Sequence, residues 1–376
     1  MFWKTRKPAP TSPAAPPAAR AGKLIVHIGD RKTGSTSIQN ALAANRVHPD
    51  GASLLYPSRL AQNHLLQSFG QQGAGKHAEN FVQIAARIAE AGADFSILSS
   101  EGLEDMPPEK VHAVLQTHFR PVVTQVQVLA YVRPHIGRIT SSCAEQLKIG
   151  LFAGDSIDAF FERALSNGRF FYAPRFTSWH DTFGTEFTLR PMIRTELHNA
   201  SVVEDFLHVA LNGTPFRLDH GTSDNESLNL RDLMILKLVH SCGRKRGLHQ
   251  KIGLGWSIAR HLNQRTTGTD RAAPPERLRT HKALAVRIAD TYRADAQAVD
   301  QAFFEGRPLL QTALDQMIDS APETAQSLDP ADHFSDSEQR SILALADTIS
   351  EMMDNTKGAP WPKHFRDGRI KALQNG

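Results

Sequence analysis

Cysteine is nearly missing from this chain: Cys143 and Cys242 are the only two in 376 residues. That excludes a disulfide framework and a cysteine-rich zinc site, and it favours a reducing compartment, so a cytoplasmic location is expected. The seventeen histidines are scattered without HExxH or paired CxxC spacing, which argues against a protein metal site. Long apolar runs are absent as well. Nothing approaches the roughly 18 consecutive apolar residues of a membrane-spanning helix, so no transmembrane segment is expected. Charge of one sign is scarce, with 43 Lys and Arg against 39 Asp and Glu for a formal net charge of +4. Such an excess suits an anionic ligand and fits plain solubility nearly as well, and no nucleic-acid partner is expected from it.

What remains is 40% hydrophobic and 22% charged, ordinary for a globular chain of one large domain or two smaller ones. Residues 1–22, "MFWKTRKPAPTSPAAPPAARAG", are basic and then Pro/Ala-rich, without the apolar run of a secretory signal. They read as a disordered tail outside the fold. Phe2 and Trp3 beside Lys4, Arg6 and Lys7 mark the place where a peripheral membrane contact would arise.

From residue 23 to 215, strand patterns alternate with helical ones. "KLIVHI", "SLLYP" (53–57), "DFSILSS", "VQVLAYV" (126–132) and "TEFTLRPMI" read as strands. Between and after them come helices from about Gly34, in "FVQIAARIAEAG", in "PPEKVHAVLQTHF", after Arg133 to about Lys148, near 154–166 and 174–183, and in "SVVEDFLHVAL" with Ser201 as its cap. This predicts an α/β fold of three layers around a mostly parallel, P-loop-like central sheet. Residues 216–376 show helical periodicity and no convincing strand, so a C-terminal helical region is expected, with Ser335 and Glu338 at capping-box spacing before its last long helix.

The chemistry concentrates in "VHIGDRKTGSTSIQNAL", residues 26–42. A strand, a glycine-bracketed turn and a helix N-terminus gather unpaired backbone N–H groups and the positive end of the helix dipole, which makes an anion site. Lys32, Thr33, Ser35, Thr36 and Ser37 add side-chain donors beside Gly34. Gly29 and Gly34 have the separation of a nucleotide P-loop, but Ser35 stands where GxxxxGK has its lysine and Lys32 precedes the second glycine by two residues. This is not a Walker A motif.

The displaced lysine, the small hydroxyl residues and "IQNAL" after them resemble the 5′-phosphosulfate loop of sulfotransferases that use 3′-phosphoadenosine 5′-phosphosulfate (PAPS). The likeness is to bacterial carbohydrate-type members with "IGxxKTGTTSIQ", Ser35 replacing the commoner Thr. That family also carries an Arg at the end of a central strand and a Ser eight positions later, both on the donor's 3′-phosphate. Here "VLAYVRPHIGRITSS" supplies Arg133 and Ser141, and Pro134 and Gly137 are expected to turn the chain so that Ser141 lies in or near the first helical turn. The resemblance covers roughly residues 23–211. It implies PAPS as co-substrate with no metal required, a carbohydrate-like acceptor, and a donor site of Lys32, Thr33, Gly34, Ser35, Thr36, Ser37, Arg133 and Ser141. Lys32 would also act in catalysis, neutralising charge on the leaving phosphate.

The acceptor's proton needs a base. Glu101, after "DFSILSS", should emerge at a strand's C-terminal end, where open α/β sheets place their ligands, and "SSE" resembles the pattern of glycan sulfotransferases that use a glutamate. His64 in "QNHLL" is the rival base, while His27 is expected to pack beneath the loop. The basic "GRKRG" (243–247) reads either as a second contact to the 3′-phosphate or as a solvated helix end, and Trp179 reads as core. Two other functions stay open: a P-loop small-molecule kinase using ATP, and a non-catalytic nucleotide- or nucleic-acid-binding module.

Overall fold

The structure, a computed structural model, describes residues 21–58, 78–219, 228–243, 247–265, 276–356 and 360–375. Its centre is a sheet of five parallel strands in the order β3-β4-β1-β5-β6, comprising β1 (Ala21–Gly29), β3 (Leu54–Leu55), β4 (Phe95–Ser99), β5 (Val123–Val132) and β6 (Phe187–Pro191). Period-two alternation divides β1 between two cores. Leu24, Val26 and Ile28 join one apolar cluster, and Ile25 joins the other. Both faces of the strand are therefore covered, which is why its sequence reads as an almost unbroken apolar run.

On one face lie α1 (Ser35–Ala43) and α7 (Val202–Ala210), whose Ile38, Leu42, Phe206 and Ala210 pack with Ile25, Ile97 and Tyr131. On the other lie α2 (Ala78–Ala91), α3 (Pro108–Val114), α4 (His135–Lys148), α5 (Ile157–Ser166) and α6 (Ala173–Phe183). The protein is thus a three-layer α/β fold with a parallel central sheet, as the alternating pattern predicts. Gly92 closes α2 at φ 55°, and the Ser201 hydroxyl caps α7 by accepting from the Glu204 N–H. Past Val114 the helix predicted through Phe119 widens into one π turn, Leu115–Phe119.

Three expectations need correction. The strand starts at Ala21, not at residue 23. The Ala21 and Gly22 N–H groups donate to the Val122 and Ala93 carbonyls at 2.9 Å, and a side chain at Gly22 would lie 2.1 Å from the Asp94 oxygen. Most of the predicted tail, residues 1–20, lies outside the described residues. The strand expected over 53–57 pairs only at Leu54 and Leu55. A strand also exists beyond 216: β7 (Phe216–Leu218) pairs antiparallel with β2 (Val47–Pro49) in a separate two-stranded sheet, too short for any alternation to announce it.

Of the C-terminal helices, α8 (Leu230–Cys242), α9 (Leu248–Arg265), α10 (Lys282–Phe303) and α11 (Leu309–Asp319) pack against α4, while α12 (Asp336–Asn355) packs on α8 and α13 (Trp361–Asn375) on α9. Leu233, Leu236, Ile288 and Leu314 share one apolar cluster with Ile139 and Leu147 of α4. His135 is the polar tie: fully buried, it lies between the rings of Tyr172 and Tyr292 and bonds Asp295 of α10 at 3.0 Å. Asp295 also accepts the Tyr172 and Ala173 N–H groups at the start of α6, where a carboxylate suits the helix dipole. The capping box at Ser335 and Glu338 is formed. Among the described residues, no helix is long and apolar enough to cross a membrane.

Candidate active site

The loop from Gly29 to Gly34 leaves the C-terminal end of β1, and its two glycines do different work. At Gly34, φ 83°, a Cβ would lie 2.6 Å from a Val202 methyl, so only glycine lets α7 close over the start of α1. At Gly29, φ 96°, a Cβ would lie 3.0 Å from the Glu101 Cα, so the missing side chain brings the end of β4 against the loop. Lys32 itself takes φ 64°.

The loop's hydroxyls divide. Thr33 and Ser35 are buried and turn inward, both donating to the Asp30 carbonyl. What they offer an anion is their backbone N–H, which at a helix start has no partner within the helix. Thr36 and Ser37 stay half-buried on the first turn of α1. Beneath them His27 is fully buried, with Nδ1 2.8 Å from the Ser99 hydroxyl, and burial pushes its pKa down to about 3. It packs under the loop, as expected, and is neutral at ordinary pH.

Two carboxylates behind the loop hold it in place. Asp30, 1% exposed, bonds Arg138 of α4 and Arg175 of α6, each at 3.0 Å. Glu104 accepts the Arg31 N–H at 2.8 Å and its guanidinium at 2.7 Å, with Arg138 at 3.4 Å. Burial alone would raise the Asp30 pKa, but Arg138 and Arg175 outweigh it and hold the carboxyl below its usual range. The network ties four pieces of chain together: the loop, the turn after β4, α4 and α6. Sequence reasoning missed it, because these pairings span 34 to 145 positions.

Glu101 opens the 3₁₀ turn Glu101–Asp105 directly after β4, at the strand end where it was expected. Its carboxylate carries no hydrogen bond or ion pair among the described residues. Burial raises its pKa and the neighbouring Glu145 raises it further, against the pull of Lys32, Arg31 and Arg138. A half-buried carboxylate made more basic by its surroundings is suited to accepting a proton. The rival His64 lies outside the described residues.

Lys32 points toward Glu145 of α4, its ammonium 2.9 Å from a carboxylate oxygen, and Lys148 reaches the same carboxylate at 2.6 Å. Burial would raise the Glu145 pKa, but the two lysines outweigh it and hold it at about 2. Glu145 was not foreseen. Its only signal was its place one helical turn beyond Ser141.

Arg133 directly follows β5, and its guanidinium donates to the Lys32 carbonyl at 3.2 Å. The helix begins at His135, straight after Pro134, so Ser141 is the seventh residue of α4 and sits in its second turn rather than its first. Gly137 therefore does not turn the chain. It opens the face between Arg133 and Ser141, since a Cβ there would meet the Arg133 Nε at 3.2 Å. All three residues line one cavity of about 290 Å³, which Arg277, Arg279 and Thr280 close from the segment before α10. Neither Arg133 nor Arg277 has a carboxylate partner among the described residues. Arg279 is partly engaged, donating to the Ser320 carbonyl. Besides Arg133, the basic residues at this cavity are thus Arg277 and Arg279. Of "GRKRG", residues 244–246 lie outside the described residues. Trp179 is fully buried and stacks on Phe183 in the core.

Glu101, Lys32 and Arg133 are thereby gathered at the C-terminal ends of β4, β1 and β5, the edge where open parallel sheets bind ligands. Set against protein-family models, curated proteins and solved structures, the chain matches none.

Proposed function

We propose that the protein is a PAPS-dependent sulfotransferase, acting in the cytoplasm on a hydroxyl or amine of a carbohydrate-like acceptor. One observation carries this reading. The Lys32 loop and the cavity of Arg133 and Ser141 are two places suited to anions, joined by the Arg133–Lys32 hydrogen bond. A donor with a 5′-phosphosulfate and a 3′-phosphate needs two such places side by side. In this reading the helix N–H groups of α1 hold the 5′-phosphate, while Arg133, Ser141 and Arg277 take the 3′-phosphate, guanidinium forks matching phosphate oxygens.

Glu101 takes the proton from the acceptor hydroxyl as its oxygen bonds to sulfur. The bond from sulfur to the phosphate oxygen breaks, and the electron pair stays on that phosphate. Lys32 passes from Glu145 to this oxygen, where the charge builds. The products are the sulfated acceptor, protonated Glu101 and 3′-phosphoadenosine 5′-phosphate (PAP).

A thermal-shift comparison tests the reading. PAP is expected to stabilise the protein more than ATP with Mg²⁺ or a short oligonucleotide, because a ligand that binds only the folded state raises its apparent stability. Preference for ATP with Mg²⁺ would favour a kinase instead, and preference for the oligonucleotide a binding module.

A further inference from the structure

A second cavity, of about 350 Å³, lies between α1, α9 and α13, with Asn40, His249, Trp256, Arg260, Arg366 and Arg369 among its lining side chains. Among the described residues, three arginines and no carboxylate line it, the rest of the wall being largely apolar. Such a wall favours an anion with an apolar or ring-shaped body.

Two buried polar atoms in the wall have no partner among the described residues. Asn40 of α1 is 5% exposed and its Oδ1 has none, while Arg260 of α9 donates through Nη1 to the Gly368 carbonyl at 2.9 Å but leaves its Nε unpaired. Buried polar groups are ordinarily satisfied, so an orphaned acceptor and an orphaned donor lining one cavity call for a ligand that brings both complements. The cavity wall is linked to the proposed reaction centre by a chain of side-chain contacts through Trp256. Lys148 lies 3.7 Å from the Trp256 ring centroid, and Lys148 and Lys32 share Glu145.

We propose that this cavity is the acceptor subsite and that it takes a hydroxylated organic anion, an acidic sugar whose charged group faces Arg260 and Arg366 and whose hydroxyl donates to Asn40. The acceptor role rests on the sulfotransferase reading; the anion binding does not.

Tryptophan fluorescence of the full chain, with Trp256→Phe as control for the reporter, can be titrated with glucuronate, glucose 6-phosphate and glucose. At least one anionic sugar should bind roughly tenfold more tightly than glucose, since charge-assisted bonds are about twice as strong as neutral ones, and the two anions tell a carboxylate site from a phosphate site. Arg366→Ala, at an exposed position that does not threaten folding, should remove that preference and lower sulfate transfer to the preferred sugar by a similar factor. Equal binding of all three sugars by the wild type would overturn the proposal, as would a preference or a transfer rate untouched by Arg366→Ala. Thermal stabilisation by PAP is read separately, so failure of this cavity and failure of the sulfotransferase reading remain distinguishable.

Discussion

Five arginines around one loop fall into two groups. Arg31, Arg138 and Arg175 are engaged by three carboxylates, Asp30, Glu104 and Asp105, whereas Arg133 and Arg277 line a cavity with no carboxylate partner among the described residues. The first group's charge is already neutralised. Its work is to hold the loop, the turn of Glu101 and two helices in register, and such buried pairs give geometry more surely than net stability. Of the second group, Arg133 has desolvated charge still to satisfy, while Arg277 is exposed. Burial, and then the nearby Arg138, depress the Arg133 pKa, the condition of a cation awaiting an anion. Residue type alone does not separate builders from binders; the counter-ion does.

The largest expected effect falls on the first group. Arg138→Ala strips a partner from buried Asp30 and Glu104, and breaking such a pair typically costs about 3–5 kcal/mol. Chemical denaturation should show that loss, with transfer lost alongside. Asp30 gives the same network a pH signature. Its folded pKa lies below the unfolded value, so its contribution is present above the unfolded value and disappears as pH falls through the folded one. If Arg138→Ala left stability unchanged, the division into builders and binders would fail on its first side.

Lys32→Ala should cut turnover by on the order of 10²–10³, about 3–4 kcal/mol of transition-state stabilisation, with donor binding much less affected. Turnover near that of the wild type in single-turnover assays would remove Lys32 from the chemistry. Glu101→Gln should reduce transfer by roughly 10²-fold or more, the usual scale for a positioned base, while PAP affinity is unchanged. Because the Glu101 pKa is raised in the folded protein, wild-type transfer should fall as pH drops through a value above that of an ordinary glutamate, about 4.3. The sign for stability is opposite to that of Asp30. Ionised Glu101 opposes folding once pH exceeds its unfolded pKa, so Glu101→Gln should raise the denaturation midpoint near pH 7 and leave it unchanged in acid. A pH–rate profile identical in wild type and Glu101→Gln would send the search for the base elsewhere.

The smallest effect belongs to Ser141→Ala. Ser141 offers the phosphate one bond from an uncharged donor, at the low end of the range for bonds to charged groups, about 1.5 kcal/mol, so PAP should weaken by roughly tenfold. A loss larger than that of Arg133→Ala would invert the assignment within the cavity.

Much of this site was legible because its chemistry is local in the chain. The apolar run of β1, the bracketing Gly29 and Gly34, and the strand-end positions of Arg133 and Glu101 follow from alternation and turn composition, and the sheet places them together. What stayed hidden depends on tertiary contact. Arg277 reaches the Arg133 cavity from the segment before α10, and Glu145 meets Lys32 across α4. The inward turn of the Thr33 and Ser35 hydroxyls was hidden for another reason. It is set by the Asp30 carbonyl, a backbone group that no residue type announces. Ser141 shows a third kind of miss: its spacing from Arg133 was read correctly, but Gly137 serves as an open face instead of a turn.

The most direct test of the account titrates PAP and adenosine 5′-phosphate, which lacks the 3′-phosphate, into wild type and Arg133→Ala by calorimetry. The wild type should prefer PAP by tenfold or more, since a hydrogen bond to a charged group contributes about 1.5–3 kcal/mol, and Arg133→Ala should erase that preference while binding adenosine 5′-phosphate as the wild type does. Equal affinity of the wild type for the two nucleotides, or a preference that survives Arg133→Ala, would contradict it.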